Sequence, residues 1–389
     1  MPTLSLFPAS TSDYRNLAEK RLPRFLFDYI DGGAYDEATL RANVEDLRPL
    51  RLKQRVMRDV SAINTKVELL GEKWSFPTAL APVGMAGMMA RRAELQAVRI
   101  ADAFGIPFCL STVSICSLEE VAEVAKRPFW FQLYMMRDRG AVVELLNRAK
   151  AAGCKNLVFT VDLAVVGARY RDVRNGMAGG SGIWPYLRGR FLEYATHPGW
   201  VYDVGLRGAP HTFGNIAPFL PKKSSSLDDF VAWVGTQFDA SVTWKDITWL
   251  RSVWSGNLII KGVLSPEDAV AAADSGADAV LVSNHGGRQL DGVSSTIAML
   301  PRVVNAVGSR VPVLMDGGVR SGLDVVKALA CGAKAALIGR PWIWALAATG
   351  EAGLTGLLRT FKGELKVGMA LTGAPTVADL NAGIIEGRE

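Results

Sequence analysis

Eight short apolar runs recur along the 389 residues, and this repetition restricts the fold more than any other feature of the chain. They stand in "TALAPVG", "IPFCLST", "FWFQLY", "NLVFTVD", "NLIIKGV", "AVLVSNHGG", "VPVLMDGG" and "AALIGRP". An uninterrupted apolar run marks a strand buried on both faces, as parallel sheets require. Between the runs, segments such as "AELQAVRIADAFG", "GAVVELLNRAKAAG" and "SPEDAVAAADSGA" carry apolar residues at helical spacing and end at or near glycine. Strand and helix alternating eight times predict a (β/α)8 barrel, an α/β fold whose active site lies on the loops after the strands. A doubly wound two-domain sheet is the minor alternative. It leaves unexplained why each run ends in a group able to bind a ligand: Gly84, Ser111, Gln132 and Tyr134, Thr160 and Asp162, Lys261, His285 and Arg288, then "DGGVRSG" and "GRP".

Such barrels run from about 200 to more than 400 residues as one unit, so residues 1–389 read as one domain with two additions. Residues 1–75 contain "SDYRNLAEKRLPRFLFDYIDGGA", whose spacing predicts helices that plug the barrel bottom or reach its mouth. Tyr29 and the pair Gly32-Gly33 are odd for a plug. The second addition follows from the gap Leu163 to Gly256 between the fourth and fifth runs, far longer than an ordinary connection. It predicts an insertion over residues 171–225.

Charge sharpens the reading of that insertion. Arg171 to Lys223 holds seven basic residues against three acidic, a net +4 of the chain's +6, together with Trp184, Tyr186, Phe191, Tyr194, Trp200, Tyr202, Phe213 and Phe219. Basic and aromatic residues together suit a contact with a membrane surface; a lid or subunit contact packed on the barrel suits them equally. Elsewhere the basic residues are scattered, which excludes a nucleic-acid interface. Cys109, Cys116, Cys154 and Cys331 form neither a CxxC nor a metal-ligand spacing and read as reduced core thiols. "MPTLSLFPASTSDY" does not read as a secretory signal, and no apolar stretch reaches the roughly 18 residues of a spanning helix.

Three groups of residues carry chemistry. His285 is one of only three histidines, sits at a predicted strand end before Gly286-Gly287, and can accept and return a proton near neutral pH. Arg288 follows three residues later with a planar guanidinium suited to a carboxylate, and Arg169 is a candidate second clamp. Asp162 is placed to face His285 and stabilise its imidazolium, with a helix N-cap as the plain alternative. Lys261 lies inside an apolar strand and requires an anionic partner, either a reduced flavin or the setting of a Schiff-base lysine. Asp316 to Gly322 and Gly339 to Pro341 offer glycines and arginines where barrels bind phosphate, and no GxGxxG follows a first strand, so NAD is not expected.

Assembled, these motifs resemble the FMN-dependent α-hydroxy acid oxidising family. The resemblance rests on "SNHGGRQLDG" at Ser283 to Gly292 and extends through "LFDYIDGGA", "LAPVGMAG", "LSTVS", "WFQLY", "FTVD", "GARYRD", "IIKG", "DGGVRSGLDVVKALACGA" and "IGRP". "HPGWVYDVGLRG" and "GNIAPFL" look most like its membrane-associated, L-lactate-oxidising branch. The resemblance implies FMN, its phosphate near Asp316, Gly317, Gly318, Arg320, Gly339 and Arg340. Its ring would lie against Pro82, Val83, Gly84, Ser111, Gln132, Thr160, Lys261 and Ser283. It also implies His285 as base, Asp162 as its partner, Arg288 and Arg169 on the substrate carboxylate, and Tyr29 and Tyr134 on carboxylate and hydroxyl.

The implied reaction converts an L-2-hydroxy acid to the 2-oxo acid, with His285 taking the hydroxyl proton or the α-proton. Uncharged Val113 and Gly84 at the pocket point to a small monocarboxylate such as lactate; the "AV" of "DLAVVGARYRD" resembles mandelate dehydrogenases and makes mandelate the second choice. A quinone or other respiratory acceptor, peripheral attachment to the cytoplasmic side of the inner membrane and a homotetramer complete the expectation. A flavin-binding, membrane-docked protein without turnover is the non-enzymatic alternative.

Overall fold

The computed structural model describes residues 7–177, 183–219 and 236–387, with the backbone alone for 183–188. The eight runs form eight parallel strands: β1 (Thr78–Leu80), β2 (Cys109–Ser111), β3 (Trp130–Leu133), β4 (Asn156–Thr160), β5 (Asn257–Val263), β6 (Ala279–Val282), β7 (Val313–Met315) and β8 (Ala335–Ile338). They pair in the order β1-β8-β7-β6-β5-β4-β3-β2. A parallel bridge between Leu80 and Phe108 brings β2 back to β1, so the sheet closes into the predicted (β/α)8 barrel.

The two-residue period of a strand then separates two cores. Trp130, Val158, Ile259, Leu281, Leu314 and Leu337 point inward and fill the barrel, whereas Phe131, Leu157, Phe159, Ile260, Val280 and Ile338 point outward against the helices. Most of the connecting helices begin at a side-chain cap: Ser117 with Glu120, Asp138, Ser265 before Pro266, Ser295 and Ser321 each supply an oxygen to free amides of the first turn.

The bottom of the barrel is plugged by a hairpin, Val67–Leu69 with Glu72–Trp74, whose Trp74 packs on Trp130 at 5.6 Å between ring centroids. The N-terminal helices therefore take the other of the two expected places. Thr11–Arg21 packs on the helix Arg340–Thr349, and Arg24–Asp31 carries Tyr29 to the mouth. Asp31 fixes this end through Arg15 at 2.6 and 2.8 Å and Arg171 at 3.0 Å.

The insertion contains helices at Tyr170–Arg174 and Ile183–Thr196 and a π-helical stretch at Val201–Leu206. Residues 178–182 and 220–225, and the side chains of Trp184 and Tyr186, lie outside the described residues. The remaining aromatics divide. Trp200 and Phe213 are buried on the barrel, the first donating from Nε1 to the Met88 carbonyl at 2.8 Å. Phe191, Tyr194 and Tyr202 are exposed, as are Leu192 and Leu206.

Candidate active site

Each strand that puts an interior residue into the barrel presents another residue two places later, one layer higher, at the mouth. From Cys109, Trp130, Val158, Ile259, Leu281, Leu314 and Leu337 this step leads to Ser111, Gln132, Thr160, Lys261, Ser283, Asp316 and Gly339. The polar layer is therefore set by strand register. It is internally bonded: Ser111 Oγ donates to Gln132 Oε1 at 3.1 Å, Gln132 Nε2 to Thr160 Oγ1 at 3.1 Å, and Lys261 Nζ to Ser283 Oγ at 3.1 Å.

Above it opens a cavity of about 270 Å³, lined by Tyr29, Pro82, Val83, Gly84, Val113, Tyr134, Thr160, Arg169, Lys261, His285, Arg288, Asp316, Gly317, Gly318, Arg320, Gly339 and Arg340 among others. Ser111, Gln132, Ser283 and Asp162 stand behind this lining and hold it.

Asp162 lies just beyond β4 and His285 just beyond β6, with β5 between them. His285 Nδ1 donates to Asp162 Oδ1 at 2.9 Å; a carboxylate only accepts, so this bond fixes the tautomer and leaves Nε2 as the basic nitrogen. Burial holds His285 below the ordinary histidine value, helped by Lys261 and Arg169 and opposed by Asp162. Burial alone would raise Asp162, yet the charges of Lys261 and His285 bring it below the usual carboxylate range. Lys261 Nζ stands 3.7 Å from Asp162 and 3.8 Å from Asp316, and these two carboxylates overcome burial and keep it charged. An ammonium held between two carboxylates suits an anionic partner better than the role of a nucleophile.

Arg288 donates to the carbonyls of Tyr29 and of Gly32, the latter at 3.0 Å, and lies over the Tyr29 ring at 4.9 Å. Arg169 donates to the Arg288 carbonyl at 3.3 Å and also faces Tyr29. Burial, then the charge of Arg288, pulls Arg169 down to about 10. Asp172 Oδ2 stands 3.8 Å from Arg169 Nη1 and answers one of these two charges, so the pair keeps a net positive charge that suits a substrate carboxylate. Tyr134, its ring tilted against Phe238 at 4.9 Å between centroids, is pushed up by burial and by Asp162, so its hydroxyl stays protonated and able to donate.

The glycines after His285 serve packing. A Cβ on Gly287 would meet the Leu40 nitrogen at 2.6 Å, and one on Gly286 would meet Arg340 Nη1 at 2.7 Å. They admit the N-terminal segment and Arg340 against the loop.

The cavity fits a flavin phosphate on two counts. Burial pulls Arg320 down to about 10 and Arg340 well below its ordinary value, so both gain from an anion. Arg340 donates to Asp31, Gly32 and Gly286 carbonyls at 3.1, 2.7 and 2.9 Å, which uses three of a guanidinium's five N–H groups. A third observation concerns the carboxylates that flank Lys261: the buried Oδ1 of Asp316 and Oδ2 of Asp162 have no hydrogen-bond partner among the described residues.

Sequence reasoning missed Phe238, Leu163, Val166 and Met177 as lining residues, and it read Phe213 only as part of an aromatic insertion. None of them stands two residues beyond an inward strand residue, the signal that located many of the others though not Tyr29 or Arg169.

L-lactate dehydrogenase of Caulobacter vibrioides is 55% identical over 380 residues, covering 98% of each chain. L-lactate dehydrogenase of Chromohalobacter salexigens is 54% identical, covering 96% of this chain and 94% of the relative. Among solved structures, the monotopic membrane protein (S)-mandelate dehydrogenase superposes with a TM-score of 0.90 at 37% identity, over 98% of this chain and 100% of that one. A profile of FMN-dependent dehydrogenases matches residues 18–387, and the chain belongs to that family, with FMN as its cofactor.

Proposed function

We propose that the protein oxidises L-lactate to pyruvate. The observation that carries this reading is the 54–55% identity to L-lactate dehydrogenases along nearly the whole chain, against 37% to the mandelate enzyme. When bound, FMN supplies the acceptor for the two electrons. Arg288 and Arg169 hold the substrate carboxylate, Tyr29 and Tyr134 orient it, and His285 Nε2 removes a proton from the bound acid. Asp162 stabilises the resulting imidazolium, as a buried carboxylate does for a catalytic histidine. Phosphate binding falls to Asp316–Arg320 and Gly339-Arg340, and ring binding to Pro82–Gly84 and Lys261 with the polar layer behind.

The electrons then pass to a quinone or another respiratory acceptor. The protein attaches peripherally to the cytoplasmic side of the inner membrane, and the family resemblance supports a homotetramer. Exposed Phe191, Leu192, Tyr202 and Leu206 near Arg190 and Arg207 support attachment, as does the monotopic membrane neighbour. No helix among the described residues is long and apolar enough to cross a membrane.

L-mandelate is the second reading, favoured by the fold's match to (S)-mandelate dehydrogenase. Anaerobic bleaching of the flavin decides between them. L-lactate should bleach it faster than glycolate, L-mandelate or longer 2-hydroxy acids, and a faster rate with mandelate overturns the assignment.

A further inference from the structure

The last part of the insertion, "TFGNIAPF", is strapped to the barrel more tightly than a peripheral loop requires. Asn215 is fully buried and spends its amide on the loop after β2: Nδ2 donates to the Ser111 carbonyl at 3.1 Å and to Ser114 Oγ at 2.9 Å, and Oδ1 accepts from the Leu118 amide at 2.7 Å. Gly214 lies against the same loop so closely that a Cβ would stand 2.5 Å from the Ser117 nitrogen, and its amide donates to the Ile115 carbonyl. Arg148, paired bidentately with Glu119, donates to the Asn215 carbonyl at 2.7 Å.

That loop also carries Val113, a wall of the cavity, and Phe213 lines the cavity with it. In the eight-membered ring of strands, β2 and β6 lie four places apart and so face each other across the barrel. Phe213 accordingly belongs to the wall built on the β2 side of the cavity, and His285 with Arg288 to the wall on the β6 side.

From this geometry we infer that Phe213 sets the size of acid the site accepts, and that Asn215 positions it by joining the insertion to the Ser111–Leu118 loop. The inference rests on the proposed hydroxy acid oxidation. A ring filling the tail side favours a methyl group over a phenyl group; its removal opens the pocket to larger acids, and pocket differences of this kind change selectivity about tenfold or more.

The test is anaerobic flavin bleaching of the holoenzyme by L-lactate and by L-mandelate. Phe213→Ala should raise the mandelate-to-lactate rate ratio about tenfold or more, and Phe213→Leu should raise it less. Asn215→Ala should raise it too, and Asn215→Ala combined with Phe213→Ala should go no further than Phe213→Ala alone, because both act on one wall. An unchanged ratio in a flavin-loaded Phe213 variant overturns the size-setting role. Additive effects overturn the coupling. Loss of flavin from both Phe213 variants also counts against the inference, since a wall of the substrate side leaves the cofactor in place. If neither acid bleaches the wild-type flavin, the proposed activity fails; if lactate bleaches it and the ratio ignores Phe213, this inference alone fails.

Discussion

His285 Nδ1 and Asp162 Oδ1 meet at 2.9 Å across the tip of β5, joining the ends of two strands that are not neighbours. The bond orients the imidazole and compensates the positive charge it gains on taking a proton. His285→Ala should retain the flavin and slow its reduction by substrate by about 10²–10⁴-fold, and Asp162→Asn should act in the same range. Stopped-flow reduction measures both, and a near-normal rate in His285→Ala removes it as the base.

The same pair fixes a pH dependence. Burial, with the charges of Lys261 and Arg169, lowers the His285 value against the pull of Asp162. Only the neutral ring accepts a proton, so reduction should be flat through neutral pH and fall as pH drops through a value below the ordinary 6.5 or so. Rates from about pH 5 to about pH 8 check this; a midpoint at or above the ordinary value contradicts it.

Lys261 supports both carboxylates at the centre of the mouth. Lys261→Met would leave Asp162 and Asp316 buried without their cation, and breaking a buried pair from one side costs about 3–5 kcal/mol. The expected result is a lower melting temperature together with weaker flavin retention. An unchanged thermal transition would mean that the two carboxylates are balanced by other groups.

Strand register explains why so much of the site was legible in the sequence. Gln132, Thr160, Lys261 and Asp316 each stand two residues beyond an inward apolar residue, so finding the strand found the polar group at the mouth. The plug escaped the same method because "VELLGEKW" mixes charged and apolar residues over strands of three, too short for a period to emerge. Phe213 and Phe238 escaped it for a different reason. Their places depend on contacts across long stretches of chain, Asn215 to Ser111 and Tyr134 to Phe238, which local spacing does not encode. Tyr29 was visible only as an oddity because a helix of the N-terminal segment brings it to the mouth.

Attachment to lipid should reside in the exposed residues of the insertion and be separable from catalysis. Trp200, Phe213 and Asn215 are buried against the barrel, so deleting the insertion would also damage the pocket. Phe191→Asp with Leu206→Asp instead places charge on the exposed face. Binding to anionic vesicles should fall at least about tenfold, since each apolar side chain contributes roughly 1.5–3 kcal/mol on burial, while dye-linked oxidation persists. Undiminished sedimentation with vesicles would move the contact elsewhere.

If Arg169 and Arg288 clamp the substrate carboxylate as proposed, an anion entering beside them should stabilise the protein. The Arg169 guanidinium, pulled down to about 10 by burial and by its neighbour, regains its ordinary preference for charge when a carboxylate enters between them. A 2-oxo acid such as pyruvate should therefore raise the melting temperature of the holoenzyme, by an amount equivalent to about 2.7 kcal/mol at a hundred times its Kd. Arg288→Lys loses the planar fork and two of its contacts with the Tyr29–Gly32 backbone, so the pyruvate-induced shift should shrink and KM should rise more than kcat falls. Arg169→Met removes the clamp and also the cation beside buried Asp172, so it should lower the melting temperature without ligand and gain little with pyruvate. A full pyruvate shift in both variants would place the carboxylate elsewhere in the cavity.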